Sequence, residues 1–234
     1  MEALGRLISR RLEFPVLLAL GAAAAAAWAF IELADEVVEG EVDSLDRRLL
    51  LALRDPSDPQ LALGPGWLQE MARDFTALGG TAVLLLVTLG AVGFLLLDRK
   101  RHAALAVLVA VAGGQLLSAL LKLGFDRPRP DLVPHGVVVY TASFPSGHAM
   151  MAAVTYLTLG ALLASVHASW RLKLYFLGIA VFITLLVGAS RVYLGVHWPS
   201  DVAGGWTVGA AWTSLCWLAM RRLQRKGAVE SAER

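Results

Sequence analysis

The sequence predicts an all-α protein, a bundle of six transmembrane helices with short interfacial helices on its outer face. Apolar residues make up 57% of the 234 residues, charged residues make up only 17%, and the mean hydropathy is +0.61. An ordinary soluble domain is nearer to about 50% apolar and about 25% charged. The composition therefore argues against a soluble globular protein and against a disordered chain. The net charge of +2 lacks the basic surplus of a nucleic-acid-binding protein.

Six apolar runs carry the prediction of membrane helices. A helix needs about 20 apolar residues to cross a hydrocarbon core about 30 Å thick. The runs that contain no Asp, Glu, Lys or Arg cover residues 15–31, 78–97, 103–121, 149–166, 174–189 and 202–220. One such run could be buried in a soluble protein, but six leave too little polar chain to cover them. We therefore expect one membrane domain over residues 1–234. Its first run could be a signal peptide, although the length of that run favours an uncleaved anchor.

The basic residues predict the orientation of the bundle. Six alternating crossings place 13 of the 21 Lys and Arg residues in the loops of one side and 8 in the loops of the other. The richer side, which includes both termini, is expected in the cytoplasm. Half of the outer set lies beside the ends of the third and fifth runs, namely Lys122, Arg127, Arg129 and Arg191. The positive-inside rule does not explain these four residues.

The outer segment 35–77 is expected to form the interfacial helices. Between positions 32 and 74 the chain carries 11 acidic and 4 basic residues. Apolar residues recur at helical spacing over 67–75, and more weakly over 45–53. Amphipathic helices of this kind can lie in the membrane interface. They could cap the bundle or frame access for a lipid headgroup, and both interpretations stay open.

The first polar motif follows the third run and extends from Lys122 to Pro130. Pro128 and Pro130 prevent the helix from continuing, which places Lys122 and Arg129 at or just beyond its end. Such cations can anchor a helix in lipid headgroups. They also suit a phosphate site, because Arg offers a forked donor and Lys a point charge.

The second motif, Pro-Ser-Gly-His, directly precedes the fourth run. The start of a helix leaves N–H groups unpaired and favours anions. Ser146 could cap this helix, and Gly147 would allow a ligand to approach the backbone closely. Turn chemistry alone explains these residues, but it does not explain His148.

The third motif joins the fifth and sixth runs and contains Arg191, His197 and Asp201. His197 and Asp201 are four residues apart at the start of a helix, so their side chains can meet. A carboxylate that accepts a hydrogen bond from one imidazole nitrogen leaves the other nitrogen free as a nucleophile.

Together these residues fit phosphoryl transfer through a phosphohistidine. His197 would attack phosphorus beside Asp201, and His148 would protonate the leaving alkoxide, although the pattern alone separates the two histidines only weakly. Lys122, Arg129 and Arg191 would hold the phosphate oxygens with N–H groups near Ser146 and Gly147, and no metal or other cofactor is required. The rival interpretation is a zinc site at His148, His197 and Asp201. The surrounding cations argue against it, since they would repel a divalent ion.

In its three polar motifs the chain resembles the type 2 phosphatidic acid phosphatase superfamily, the integral-membrane lipid phosphate phosphatases. The family signature reads Lys, six residues, Arg-Pro; then Pro-Ser-Gly-His; then Ser-Arg, five residues, His, three residues, Asp. It is complete here at 122–130, 145–148 and 190–201. The resemblance implies His197 as nucleophile, Asp201 as its partner, His148 as acid, and phosphate contacts at Ser146 and Gly147.

The resemblance also implies a substrate class and a location. The expected reaction is metal-independent hydrolysis of a lipid phosphate at the periplasmic face of a bacterial inner membrane. Candidate substrates are undecaprenyl diphosphate, phosphatidylglycerol phosphate, phosphatidic acid and lipid A phosphate. A phosphotransferase of the same superfamily would use the same residues with a lipid acceptor instead of water. A soluble vanadate-dependent haloperoxidase conflicts with six apolar runs, and a transporter or scaffold would leave a complete catalytic set idle.

Overall fold

The computed structural model describes residues 2–131 and 142–225, with side chains from 14 to 131 and from 142 to 224. Within these ranges the chain is all-helical, which confirms the predicted class. The described part of the chain forms eight helices: α1 (Glu2–Glu39), α2 (Asp43–Leu51), α3 (Gly66–Ala77), α4 (Thr81–Leu97), α5 (Arg101–Gly124), α6 (Gly147–Ser165), α7 (Trp170–Tyr193) and α8 (Pro199–Arg225).

Each predicted run falls on one helix to within one residue, except the run 78–97. Its first three residues form a turn, and the helix α4 begins only at Thr81. Among the described residues, four helices are long and apolar enough to cross a membrane: α1 over Phe14–Glu39, α5, α6 and α7. The pair α3 and α4, bent by 47° at this turn, makes a fifth such stretch. The two short helices predicted in the outer segment are α2 and α3.

Helices α6 and α8 form the centre of the bundle. No residue from Gly147 to Leu162 or from Pro199 to Ser214 is exposed. Around them, α1, α4, α5 and α7 present large exposed apolar side chains, among them Leu86 on α4. An apolar surface of this extent suits the hydrocarbon of a bilayer. The central position of α8 explains why a helix rich in Gly, Thr and Trp can be less apolar than its neighbours.

Glycines on α8 bring it close to α6. A Cβ atom at Gly205 would lie 2.6 Å from the carbonyl oxygen of Ser146, and one at Gly209 would lie 2.6 Å from the Cβ of Ala153. Small residues let helix backbones approach in this way. The close approach sets the second and third turns of α8 against the first two turns of α6.

An aromatic cluster fixes the segment that leads into α6. The ring of Phe144 stacks on Phe30 of α1 with a centroid distance of 5.7 Å and meets Phe125 edge-on at 4.8 Å. Phe125 directly follows α5, which ends four residues before Pro128. The last turn of α5 and the first turn of α6 are thereby held at the same end of the bundle.

Candidate active site

The three polar motifs converge at this end of the bundle. The N–H of Ser146 donates to the carbonyl of Asp201 at 2.9 Å, which ties the second motif to the third. The position of a Cβ on Gly147 would lie 4.0 Å from the Nζ of Lys122, which ties the second motif to the first. His148 has electrostatic interactions with four groups of the site, namely Arg191, His197, Lys122 and Arg129. All eight predicted site residues therefore meet in one place.

His197 is buried, and its two ring nitrogens have different partners. Nδ1 lies 3.2 Å from Oδ2 of Asp201, and Nε2 lies 3.1 Å from Nη1 of Arg129. A guanidinium only donates hydrogen bonds, so Nε2 is the acceptor in this contact. The proton of the neutral ring therefore sits on Nδ1 and is donated to Asp201. The lone pair of Nε2 is directed at Arg129, on the side of the ring opposite to Asp201.

The charge state of His197 agrees with this assignment. The pKa of His197 is lowered to about 4, chiefly because the ring is buried and in smaller part because of the positive charges of Arg129 and Arg191. The hydrogen bond to Asp201 and the negative charge of Asp201 raise the pKa of His197, but by less than burial and the cations lower it. The ring is consequently neutral near pH 7.

Asp201 is buried, and its carboxylate is fully engaged. Oδ2 accepts hydrogen bonds from the Oγ of Ser143, from the N–H of Trp198 at 2.9 Å and from His197. Oδ1 accepts from Nη1 of Arg127 at 3.0 Å. Several donors that favour the ionised form keep a carboxylate charged. Neither Ser143 nor Arg127 is among the catalytic and phosphate-binding residues predicted from the sequence, where Arg127 stood only as a secondary contact.

The predicted phosphate-binding cations are held by neutral oxygens. Lys122 donates to the carbonyl of Ala142 at 3.1 Å, Arg129 to the carbonyl of Val196 at 3.0 Å, and Arg191 to Oγ1 of Thr76 at 3.2 Å. Burial lowers the pKa of Arg129 against the opposing charge of Asp201. Within the described residues, neither Lys122 nor Arg191 pairs with a carboxylate. Positive charge is thus concentrated where an anion would be stabilised.

Ser146 differs from its prediction in two respects. It occupies the position before α6, but its side chain makes no capping hydrogen bond. Its Oγ is buried without a hydrogen-bond partner among the described residues, and its N–H already donates to the carbonyl of Asp201. The amides free to meet a phosphate oxygen are therefore those that begin α6, at Gly147 and His148, rather than the amide of Ser146.

A cavity of about 1020 Å³ opens from this site between α4, α5 and α6. Lys122, Gly147 and His148 lie at its polar end, and residues such as Leu85 and Val111 form its apolar wall. A polar end joined to an apolar trough matches the two parts of a lipid phosphate.

A further ionic layer lies behind Asp201. Arg127 also contacts Asp43 and Asp46 of α2, and Asp46 accepts a hydrogen bond from the N–H of Ser200 at 2.9 Å. Neither Asp46 nor Ser200 is among the site residues predicted from the sequence. The only signal for Asp46 was its place on the weaker of the two helical patterns.

The chain is similar to proteins of a known family. The family model described as the PAP2 superfamily matches residues 103–225. Phosphatidylglycerophosphatase B of Bacillus subtilis is 40% identical over 147 residues, which cover 61% of this chain and 70% of that protein. Undecaprenyl-diphosphatase of Sulfolobus acidocaldarius is 33% identical over 111 residues, 47% of this chain and 48% of that protein.

A solved structure is similar over most of the chain. The crystal structure of a transmembrane PAP2-type phosphatidylglycerolphosphate phosphatase from Bacillus subtilis superposes with a TM-score of 0.72 at 31% identity. It covers 87% of this chain and 96% of its own. The chain belongs to the PAP2 superfamily, and the predictions of an integral membrane protein and of a lipid phosphate phosphatase are confirmed.

Proposed function

We propose that the protein hydrolyses a glycerophospholipid phosphate through a covalent phosphohistidine on His197. The observation that carries this proposal is the placement of the His197 ring, whose Nδ1 lies 3.2 Å from Oδ2 of Asp201 and whose Nε2 lies 3.1 Å from Nη1 of Arg129. This placement favours the tautomer with the proton on Nδ1 and the lone pair on Nε2. In the first step a bond forms between Nε2 and phosphorus, and the bond from phosphorus to the lipid oxygen breaks. His148 gives a proton to that oxygen. Lys122, Arg129 and Arg191 offset the charge of the phosphoryl oxygens.

The second step removes the phosphoryl group from the enzyme. A water molecule loses a proton to His148 and attacks phosphorus, the bond from phosphorus to Nε2 breaks, and its electron pair returns to the imidazole. Inorganic phosphate leaves, and both histidines regain their starting states. Cations and amides supply the charge stabilisation that a metal would supply in other phosphatases, so the proposed mechanism uses no metal.

The test of this mechanism is trapping of the intermediate. With ³²P-labelled substrate, the wild type should give an acid-labile, alkali-stable phosphoprotein, and His197→Ala should give none. With 4-nitrophenyl phosphate, whose leaving group needs little protonation, His148→Ala should form the phosphoprotein and hydrolyse it slowly. Labelling of His197→Ala at the wild-type level would reject the assignment. Loss of turnover on chelation, restored by zinc, would instead favour the zinc interpretation.

We further propose that the substrate resembles phosphatidylglycerol phosphate rather than a polyprenyl diphosphate. The support is the 40% sequence identity to phosphatidylglycerophosphatase B and the similarity of the fold to that of the phosphatidylglycerolphosphate phosphatase. On purified protein, kcat/KM should be higher for phosphatidylglycerol phosphate than for undecaprenyl diphosphate, phosphatidic acid or lipid A phosphate. A higher value for undecaprenyl diphosphate would reverse this assignment. Phosphorylated acceptor lipid in place of free phosphate would identify a phosphotransferase.

For the topology, we propose a single domain with six crossings in a bacterial inner membrane, both termini in the cytoplasm and the site at the periplasmic face. The 27 residues of α8 span about 40 Å as a helix, and the bundle shields its less apolar first half. The single cysteine makes labelling in cells direct. In a Cys216→Ala background, a membrane-impermeant maleimide should label Ser57→Cys but not Ser169→Cys, and the reverse pattern would invert the topology.

A further inference from the structure

One guanidinium joins the outer helix α2 to the first turn of α8. Nη1 of Arg127 donates to Oδ1 of Asp201 at 3.0 Å and to Oγ of Ser200 at 2.6 Å. Nη2 of the same side chain donates to Asp43 at 2.9 Å and to Asp46 at 2.7 Å. The side chain is only 8% exposed. Arg127 therefore connects two carboxylates of α2 with the carboxylate that holds the nucleophile.

Asp46 serves the start of α8 as a capping carboxylate supplied by another helix. Its Oδ1 accepts from the N–H of Ser200 at 2.9 Å, and its Oδ2 accepts from the Oγ of Ser200. The first N–H groups of a helix lack partners within the helix and favour a negative charge beside them. Asp46 is buried, whereas the side chain of Asp43 is 67% exposed.

The charges of this cluster depend on one another. Asp46 and Asp201 are both buried, and Arg127 is the cation that they share. Burial lowers the pKa of Arg127, but the carboxylates of Asp201, Asp46 and Asp43 outweigh this effect and raise it. Removing one member of a buried ionic group leaves the others uncompensated. Without Arg127, Asp201 would lose both a hydrogen bond and the charge that favours its ionised form.

We propose that Asp46 and Arg127 are positioning residues that keep Asp201 ionised and oriented, so that its Oδ2 holds the Nδ1–H of His197. This inference rests on the proposed function. Neither residue lines the cavity beside Lys122 and His148, so both act through Asp201 and not on the substrate. The outer helix α2 is in this view part of the catalytic assembly and not only a cover of the bundle.

The first test compares Asp46 and Asp43, two carboxylates of α2 that accept hydrogen bonds from the same guanidinium. Asp46→Asn should lower kcat by about tenfold and leave KM within about twofold, because the group acts on the chemical step. Asp43→Asn is the matched control, and kcat should stay within about twofold because an exposed ion pair contributes little. Equal effects of the two variants, or a change confined to KM, would overturn the proposal.

The second test is a double-mutant cycle between Arg127 and Asp201, read as the rate of phosphoprotein formation. Arg127→Gln should lower the rate by about 30-fold in the wild type but by less than about threefold in Asp201→Asn. Arg127→Lys, which keeps the charge without the fork, should fall between wild type and Arg127→Gln. Equal losses in both backgrounds would mean that Arg127 acts independently of Asp201, and the proposal would be wrong.

The double-mutant cycle remains a test of the proposal if Asp46→Asn does not fold, because the cycle does not use that variant. Failure of the proposed function can be distinguished from failure of this inference. If His197→Ala forms the phosphoprotein like the wild type, the nucleophile is wrong, whatever the cycle gives. If the wild type forms it through His197 and the cycle is additive, only the role of Arg127 and Asp46 is rejected.

Discussion

Replacing Arg129 with glutamine should raise the pKa of His197 from about 4 to about 5. The guanidinium lies 3.1 Å from Nε2 and opposes a positive charge on the ring. Burial is the largest cause of the lowered pKa and persists in the variant, so the pKa should remain below the ordinary value of about 6.5. At about pH 5 the protonated fraction of His197 should rise from about a tenth to about a half.

Nitrogen-15 spectra of selectively labelled histidines measure this change directly. The chain contains five histidines, and the resonances of His197 are identified by their loss in His197→Gln. In the wild type the ring should stay in the neutral Nδ1–H tautomer from about pH 8 down to about pH 5. The exposed Arg48→Gln on α2 is the control variant and should leave the titration unchanged.

Two results would refute this reasoning. A wild-type pKa near the ordinary value of about 6.5 would mean that burial and cations do not govern His197. An Nε2–H tautomer would mean that the contact with Arg129 is misassigned and that the lone pair faces Asp201. In kinetics, the protonation of the nucleophile should limit kcat/KM only near about pH 4 in the wild type and at higher pH in Arg129→Gln.

Two glycines beside the site give further predictions. Gly79→Ala should lower kcat by about 100-fold. Its Cβ would lie 3.0 Å from the carbonyl oxygen of His148 and would displace that residue. A displacement of about 1 Å at a catalytic group can lower the rate by that factor. Gly90→Ala is the control, because no described atom lies within 4 Å of its Cβ, and its kcat should stay within about twofold of the wild type. Equal kcat of the two variants at equal melting temperature would contradict the prediction. Gly147→Ala should keep its melting temperature, because its Cβ would make an ordinary contact of 3.6 Å with Lys122. Its inhibition by inorganic phosphate should weaken about tenfold, and unchanged inhibition would show that no phosphate oxygen approaches there.

The sequence predicted the elements of the site because each motif lies at the end of an apolar run. Alternating crossings bring the end of one run beside the start of the next, so Lys122, His148, Arg191 and His197 had to meet if the runs cross a membrane. The spacing of His197 and Asp201 within one turn fixed their contact. These inferences needed only periodicity and charge.

The ionic layer behind the site could not be predicted in the same way. Asp46 and Ser200 are 154 positions apart in the chain, and no periodic pattern connects them. The acidic segment before α3 carries a negative charge that is ordinarily solvated, so one buried carboxylate among many exposed ones has no signature. The amide of Ser146 was misjudged for a related reason. Its partner is the carbonyl of Asp201, and only the packing of α6 on α8 brings the two together.

The contact between Arg129 and His197 has a consequence for the order of events. In the structure the lone pair of Nε2 accepts a hydrogen bond from the same guanidinium that is proposed to hold the phosphate. A lone pair used in this way cannot attack phosphorus. When a phosphate enters, its oxygens are stronger acceptors for the guanidinium than a neutral imidazole, because their negative charge adds a direct attraction between opposite charges. Arg129 would then turn to the phosphate and release Nε2, so binding of the substrate and activation of the nucleophile are a single event under the proposed mechanism.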